Sequence, residues 1–131
     1  SLLILQRKIK KKIVITTYNN KFKYFKNLNN NILKSKSNKN LIIIKNSNLS
    51  FFERLIKHSI CSISCHSGFL VQIAGATSTK LIDIINKNDY KWYSCWKPKN
   101  TKHKFIFKSD KMKKPIDKIF NHLELSLKSY L

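Results

Sequence analysis

Short runs of apolar residues recur along the chain, and stretches with helical periodicity separate them. The runs at 13–18, 41–44, 60–64 and 80–85 contain many β-branched residues and have the length of buried strands. A shorter apolar run at 105–107 predicts a fifth strand. Strands of this continuously apolar kind are typical of parallel sheets that are covered on both faces.

Between these runs, apolar residues return every three or four positions, which is the spacing of one face of a helix. A first helix is predicted at 22–32 and a second at 50–58. The second begins with Ser50 and Glu53 in the spacing of a capping box, in which each side chain bonds the other residue's backbone amide. A third, short helix is predicted to end near Ala76.

The last third of the chain combines a polar and aromatic stretch with one more helix. Residues 86–103 are predicted to form a loop, as are residues 35–40. Pro115 suits the first turn of a helix, and apolar residues continue at helical spacing to Leu127. The predicted order is β-α-β-α-β-α-β, a loop, a short β and a final α. This alternation predicts an α/β fold, with a Rossmann-like parallel sheet that carries helices on both faces.

Chain length and a basic run near the start set the predicted domain boundaries. Residues 1–11 are predicted to be a linker or the end of a preceding helix, and residues 12–131 to form one domain around one core. The chain begins with Ser1 rather than Met, so we expect a fragment or a processed or partial gene product. No apolar run reaches the roughly 18 residues that are needed to span a bilayer.

The chain is strongly basic, with 27 Lys and Arg against 6 Asp and Glu and a formal net charge of +21. Such a charge suits nucleic acid or an anionic membrane. Nearly all of it comes from Lys spread along the chain, while Arg, the better ligand for bases, occurs at Arg7 and Arg54. Lys, Asn and Ile share A/T-rich codons, so base composition also accounts for this pattern. We therefore favour peripheral contact with an anionic membrane, which needs only diffuse charge, over nucleic-acid binding.

The chain has three cysteines, Cys61, Cys65 and Cys95, and no recognisable signal peptide. An odd number of cysteines in this context is typical of a reducing compartment and predicts a cytoplasmic protein. Together with His66, the cysteines match none of the common ligand spacings of zinc sites. We therefore expect no metal and no cofactor.

Residues 65–68 form a predicted tight turn between the third strand and a helix, and their chemistry suits an anion. In parallel α/β sheets, ligands bind beyond the carboxyl ends of the strands. Gly68 lets the backbone approach a ligand, and the amides of residues 68–70 would face a diphosphate together with the helix dipole. Ser67 can donate its hydroxyl to a phosphate or simply cap the helix. His66 can add a hydrogen bond or a positive charge.

Other side chains beyond the carboxyl ends of the predicted strands are weaker candidates for the same site. They are Thr16, Thr17, Asn46, Ser47, Trp96 and Lys97. The two threonine hydroxyls can bind a nucleotide or only satisfy the backbone of a loop. The tryptophan and the lysine belong to an aromatic loop. Its rings can stack on a sugar or base, its lysines can hold phosphate, and the loop can touch a membrane interface or pack as a satellite core.

The stretch 50–85 contains a recognisable succession of elements. A helix is followed by Ile60-Cys61-Ser62-Ile63-Ser64, His66-Ser67-Gly68, Ile73-Ala74-Gly75-Ala76 and Leu81-Ile82-Asp83-Ile84-Ile85. This order resembles the heptosyltransferase-like group, glycosyltransferase family nine, in which a strand leads to Asp-Ser-Gly-x-x-His, an Ala-rich helix and a further strand. The resemblance extends over residues 12–125. It implies the C-terminal, donor-binding domain of a GT-B fold.

Ser67 and Gly68 match the family motif directly, whereas two other positions depart from it. His66 stands where the family usually has Asp, and Val71 stands where it usually has His, with Gln72 beside it. The resemblance implies that the family His contacts the donor diphosphate, and Gln72 can replace a neutral hydrogen bond there but not a charge. The implied diphosphate site consists of His66, Ser67, Gly68, Phe69 and Gln72.

The resemblance implies transfer of a sugar from a nucleoside-diphosphate sugar to a cell-envelope glycan or glycolipid, such as lipopolysaccharide, at the inner face of the membrane. The N-terminal domain of the family usually binds the acceptor and supplies the catalytic base, so no catalytic residue is named. A non-catalytic remnant of the same fold is the alternative, and Val71 favours it. A basic nucleic-acid-binding protein is a third hypothesis, which the even spread of Lys disfavours.

Overall fold

The computed structural model describes residues 2–17, 40–45, 48–65, 68–108 and 115–131. Its elements are, in chain order, α1 (Leu2–Ile9), β1 (Ile13–Thr17), β2 (Leu41–Lys45), α2 (Leu49–Lys57), β3 (Ser62–Ser64), α3 (Gly68–Ala76), β4 (Leu81–Asn86), a 3-10 turn (Lys87–Asp89), α4 (Tyr90–Trp96), β5 (His103–Lys108) and α5 (Pro115–Lys128). The helix predicted at 22–32 and nearly all of the loop predicted at 35–40 lie outside the described residues.

The strands pair in parallel, which confirms the predicted α/β class. The chain divides into two compact units, Ser1–Phe51 and Phe52–Leu131, and each contains one small sheet. The first sheet pairs β1 with β2, and the second has the order β3-β4-β5. The sequence predicts one sheet, whereas the described strands form two, because apolar runs identify strands but not their partners.

In the first unit, β1 and β2 pair along their full lengths. The helix α1 precedes them and ends where Lys10 adopts a left-handed φ of 52°. The backbone N–H of Lys10 donates to the Gln6 carbonyl at 2.9 Å, which is a usual way for a helix to end. Most of the segment 1–11 is therefore helical.

In the second unit, β4 is the central strand and is buried on both faces. Leu81, Ile82 and Ile85 are each 0% exposed, and Asp83 between them is equally buried. The strands β3 and β5 flank β4 in parallel. An almost continuous apolar run is what a strand needs when helices cover both of its sides.

The larger core lies on the face of β4 that carries Leu81 and Ile85. Its other buried members are Phe52 and Ile56 of α2, Val71 and Ala74 of α3, and Tyr93 of α4. Leu70, Ile73 and Phe105 pack against this cluster. Since each square ångström of buried apolar surface contributes about 25 cal/mol, this cluster is what holds α3 and α4 against the sheet.

The helix α5 covers the opposite face, where its C-terminal residues contact β5. Lys104 donates to the Ser129 hydroxyl, and its ammonium group lies 4.7 Å from the centroid of the Tyr130 ring. The Tyr130 hydroxyl donates to the Lys102 carbonyl at 3.1 Å, and the Lys80 ammonium donates to the Tyr130 carbonyl at 2.6 Å. These lysines also oppose the partial negative charge at the end of α5. The second unit thus has the predicted helices on both faces.

The loop predicted at 86–103 contains the 3-10 turn and α4, so that prediction is wrong for its first half. Tyr93 of α4 is 2% exposed, and its ring stacks on Trp96 with centroids 5.3 Å apart. A helix this short owes its stability to tertiary packing rather than to local propensity. The polar residues on either side of α4 do not indicate in the sequence that Tyr93 is buried.

The helix α2 begins differently from the predicted capping box at Ser50 and Glu53. It starts at Leu49, and the side-chain oxygen of Asn48 accepts a hydrogen bond from the Phe51 N–H at 2.8 Å. Asn48 is therefore the capping residue, and Ser50 lies inside the first turn. Asn and Ser are both common capping residues, and the hydrogen bond from the Phe51 N–H identifies Asn48 as the cap of this helix.

Gly75 lies where α3 passes close to Pro98. A Cβ atom added to Gly75 would lie 2.5 Å from both Cβ and Cγ of Pro98. This distance is well inside van der Waals contact, so a side chain at this position forces a rearrangement. Gly75 therefore allows close contact with the loop before β5.

We predict that Gly75→Ala lowers the free energy of unfolding by about 1–3 kcal/mol, because the new methyl group overlaps the Pro98 ring. The direction of this change is the test, because replacing glycine by alanine at an unobstructed helical position would instead raise the free energy of unfolding by about 1 kcal/mol. Urea denaturation followed by circular dichroism measures the change. A double variant with Pro98→Gly should recover most of the loss, and no recovery would show that this overlap is not the cause.

Candidate anion-binding site

The carboxyl edge of the second sheet places the start of α3 directly after β3. The strand β3 ends at Ser64 and α3 begins at Gly68, so Cys65 and two residues outside the described ranges connect them. A helix directs the N–H groups of its first turn and the positive end of its dipole away from its N-terminus. The carboxyl edge of the sheet is therefore the place where an anion would be stabilised.

An aromatic wall covers the N-terminus of α3. Trp96 has its ring atom Cη2 3.4 Å from where a Cβ atom of Gly68 would lie. One face of the Trp96 ring stacks on Tyr93, and Trp92 meets the ring edge-on with centroids 4.7 Å apart. Trp92 is 60% exposed and Trp96 is 38% exposed, so both rings can also touch a ligand. Gly68 and Trp96, two of the predicted site residues, are thus in contact range.

Of Lys97 and Lys108, only Lys108 lies at this edge. The ammonium group of Lys97 lies 5.8 Å from the centroid of the Phe105 ring, and its charge acts on His103 at the start of β5, so it lies toward the amino end of the sheet. Lys108 ends β5, in register with Asn86 at the end of β4. Burial raises the pKa of the Cys65 thiol, and the charge of Lys108 opposes that shift, so this lysine acts at the edge where β3 ends. The positive charge of Lys108 and the positive end of the α3 dipole both favour a negatively charged ligand.

The predicted site residues of α3 do not all face the same way. Phe69 is 51% exposed and stacks on Phe52 with centroids 5.9 Å apart. Gln72 is exposed, whereas Val71 beside it is 0% exposed in the core. A side chain at position 71 therefore points into the core and not toward a ligand. Gln72 remains available to a ligand that extends along the helix.

Four predicted residues lie outside the described ranges: His66, Ser67, Asn46 and Ser47. Thr16 is half-buried near the end of β1, and Thr17 is the last residue of that strand. Because β1 and β2 are parallel and in register, both strands end at one edge of the first sheet. The two threonines belong to the first unit, and the turn at Gly68 belongs to the second.

Asp83 is a buried polar residue below the carboxyl edge that was not among the predicted site residues. Asp83 is 0% exposed on the face of β4 that Tyr93 covers. Burial and the nearby charge of Asp83 raise the pKa of Tyr93 to about 12. The signal in the sequence was a carboxylate inside an apolar strand, since buried carboxylates need a partner.

His103 belongs to the same face of the sheet, at the start of β5. Both ring nitrogens are buried and have no hydrogen-bond partner among the described residues. The ring packs against Phe105, with centroids 4.3 Å apart. Burial lowers the pKa of His103, the charge of Asp83 opposes this shift, and the charge of Lys97 adds to it. A neutral imidazole is therefore favoured in the folded chain.

The described residues offer no group of three or more His, Cys, Asp or Glu side chains placed to hold a metal ion. Cys61, Cys65 and Cys95 are free thiols. Burial raises the pKa of Cys61 to about 12, although Lys80 and Lys104 lie near enough to oppose the shift. A thiol with such a pKa stays protonated and is a poor metal ligand.

Comparison with known proteins identified no related protein. No family model matches the chain, and no curated protein or solved structure matches it significantly. Within the described part of the chain, no helix is long and apolar enough to cross a membrane. The site is therefore interpreted from its own geometry.

We predict that the chain loses stability as the pH falls from 7 to 5, in part through His103. Its pKa is lower when folded than the ordinary value near 6.5, so the unfolded chain takes up the proton first and is favoured below that pH. Urea titrations at several pH values measure the effect, and His103→Phe should flatten the pH dependence. His122→Gln, at an exposed position, is the control. Parallel curves for the parent chain and His103→Phe would contradict this assignment.

Proposed function

We propose that this chain is the donor-binding domain of a glycosyltransferase that resembles the heptosyltransferase-like group, and that its second unit has the corresponding Rossmann-like fold. The observation that carries the proposal is the start of α3 at Gly68, immediately after β3 and below the ring of Trp96. In this proposal the carboxyl edge of the second sheet binds a nucleoside-diphosphate sugar. Ligands of parallel α/β folds bind at such an edge.

The diphosphate would lie against the first turn of α3. Backbone N–H groups at a helix start bind phosphate oxygens without a lysine or a metal, and Gly68 allows the closest approach. The same groups would stabilise the negative charge that develops on the diphosphate as the sugar leaves. Lys108 supports the proposal because its charge lies at the carboxyl edge and attracts this ligand.

The aromatic wall would hold the apolar or ring part of the donor. Trp96 lies beside Gly68, so a ring that stacks on it would be next to the diphosphate. Sugar and base rings both stack on indole, and the exposure of Trp92 leaves room for either. The acceptor, a cell-envelope glycan or glycolipid in this proposal, and the catalytic base would come from another domain.

A non-catalytic remnant of the same fold is the second candidate. The observation that favours it is the burial of Val71, at the position where the family has a histidine. The Val71 side chain is buried in the core and has no polar group, so it offers no contact to a diphosphate. A remnant would keep the sheet and the turn at Gly68 but would bind donors weakly and transfer no sugar.

We predict that the chain binds a nucleoside diphosphate with a Kd in the millimolar range or tighter, measured by isothermal titration calorimetry with ADP, GDP, UDP and CDP. Gly68→Val should weaken binding by roughly tenfold or more, because its branched side chain displaces Trp96 and blocks the amides. Gly68→Ala is the matched variant, since its Cβ atom fits at 3.4 Å from Trp96. Ala76→Val, at an exposed position at the other end of α3, controls for the added volume.

Two other measurements separate the candidates. Trp92→Phe leaves Trp96 as the single tryptophan, so a change in fluorescence on nucleotide binding reports contact at the aromatic wall. Nucleotide should also slow the alkylation of Cys65, which is exposed at the end of β3. Absence of binding by every nucleotide would refute the donor site in this chain. Binding without sugar transfer, tested together with an acceptor domain, would favour the remnant.

A further inference from the structure

A cluster of positive charge lies where α1 turns toward β1. Five of the six residues at 7–12 are Arg or Lys, and all five side chains are exposed. We call residues 7–12 the basic turn. The first acidic residue along the chain is Glu53, so no carboxylate of the first unit offsets this charge.

Hydrogen bonds hold the backbone of the basic turn in a defined conformation. Lys10 has a left-handed φ of 52° and donates its N–H to the Gln6 carbonyl at 2.9 Å. The side-chain amide of Gln6, which is 7% exposed, donates to the Lys11 carbonyl at 3.4 Å. The turn then enters β1, where the Ile13 N–H donates to the Asn40 carbonyl at 2.8 Å. The charges are therefore concentrated on a folded turn and not spread along a flexible tail.

An exposed apolar side chain lies beside these charges. Ile4 is 58% exposed, whereas Leu5 is 2% exposed and belongs to the inner face of α1. Ile4 precedes Arg7 by three residues and Lys8 by four, so the three share one side of the helix. This side combines an apolar group with cations, which is the composition of helices that lie in the head-group region of a bilayer.

We propose that the basic turn and Ile4 form a docking site for an anionic lipid bilayer. Four of the five cations are Lys, which act as point charges on diffuse phosphate and do not require paired hydrogen bonds. Each of them raises the affinity for an anionic surface about fivefold. Ile4 inserts between the head groups, a role that a nucleic-acid backbone does not offer. The site belongs to the first unit, and it does not depend on the proposed glycosyltransferase function.

The test is co-sedimentation of the 131-residue chain with vesicles that contain about one third phosphatidylglycerol, at an ionic strength of about 0.15 M, against pure phosphatidylcholine vesicles. The triple variant Lys10→Gln, Lys11→Gln, Lys12→Gln should bind the anionic vesicles roughly a hundredfold more weakly. The matched control is Lys87→Gln, Lys91→Gln, Lys99→Gln, which removes the same charge from exposed positions of the second unit. It should lower binding by less than about fivefold.

Ile4→Ser separates a membrane from a nucleic acid as the partner. It should weaken vesicle binding about tenfold, since it removes an inserted apolar side chain, and leave binding to a duplex DNA oligonucleotide unchanged. Circular dichroism of each variant checks that the fold is retained. Equal losses in the two triple variants, no preference for anionic vesicles, or tighter binding to DNA than to vesicles would each overturn the proposal.

Discussion

The second unit depends on the burial of β4 between helices on both faces. Leu81, Ile82 and Ile85 are inaccessible to solvent, and the strand shares backbone hydrogen bonds with β3 and β5 on its two sides. Leu81 and Ile85 of that strand share one core cluster with buried residues of α2, α3 and α4. Because a parallel strand needs a crossover before the next one, the helix starts collect at the carboxyl edge. The candidate site is thus a consequence of the way in which the core is built.

Contact between Trp96 and Gly68 connects this core to the candidate site. The ring of Trp96 stacks on Tyr93, which is itself part of the core cluster, so the aromatic wall has a rigid support. The lack of a side chain at Gly68 lets the indole come close to the backbone at the start of α3. Asp83 and His103 lie on the face of the sheet that Tyr93 covers, and the charge of Asp83 acts on both Tyr93 and His103. The aromatic wall at this edge is therefore packed directly against the core.

Lysine side chains have different roles in the two units. In the second unit, Lys80 and Lys104 pack around Tyr130 and stabilise the end of α5, so part of the basic composition is structural. In the basic turn of the first unit, the side chains of Lys10, Lys11 and Lys12 are exposed, as is Ile4. A net charge of +21 cannot distinguish these cases, because composition does not report which side chains meet a partner. Only the position of each lysine in the fold does so.

The sequence by itself determined the five strands, the helix that starts at Pro115 and the helix that follows the third strand, because apolar runs and helical periodicity are local signals. It also predicted Gly68 and Trp96 as candidate site residues, although it gave no reason for the two to lie close together. The tertiary structure decided which strands pair, that residues 90–96 form a helix, and that Asp83, Tyr93 and His103 share one face. These features rest on contacts between residues far apart in the chain. Burial of Tyr93 and Val71 gains its energy only when the sheet and helices assemble, so no local pattern could specify it.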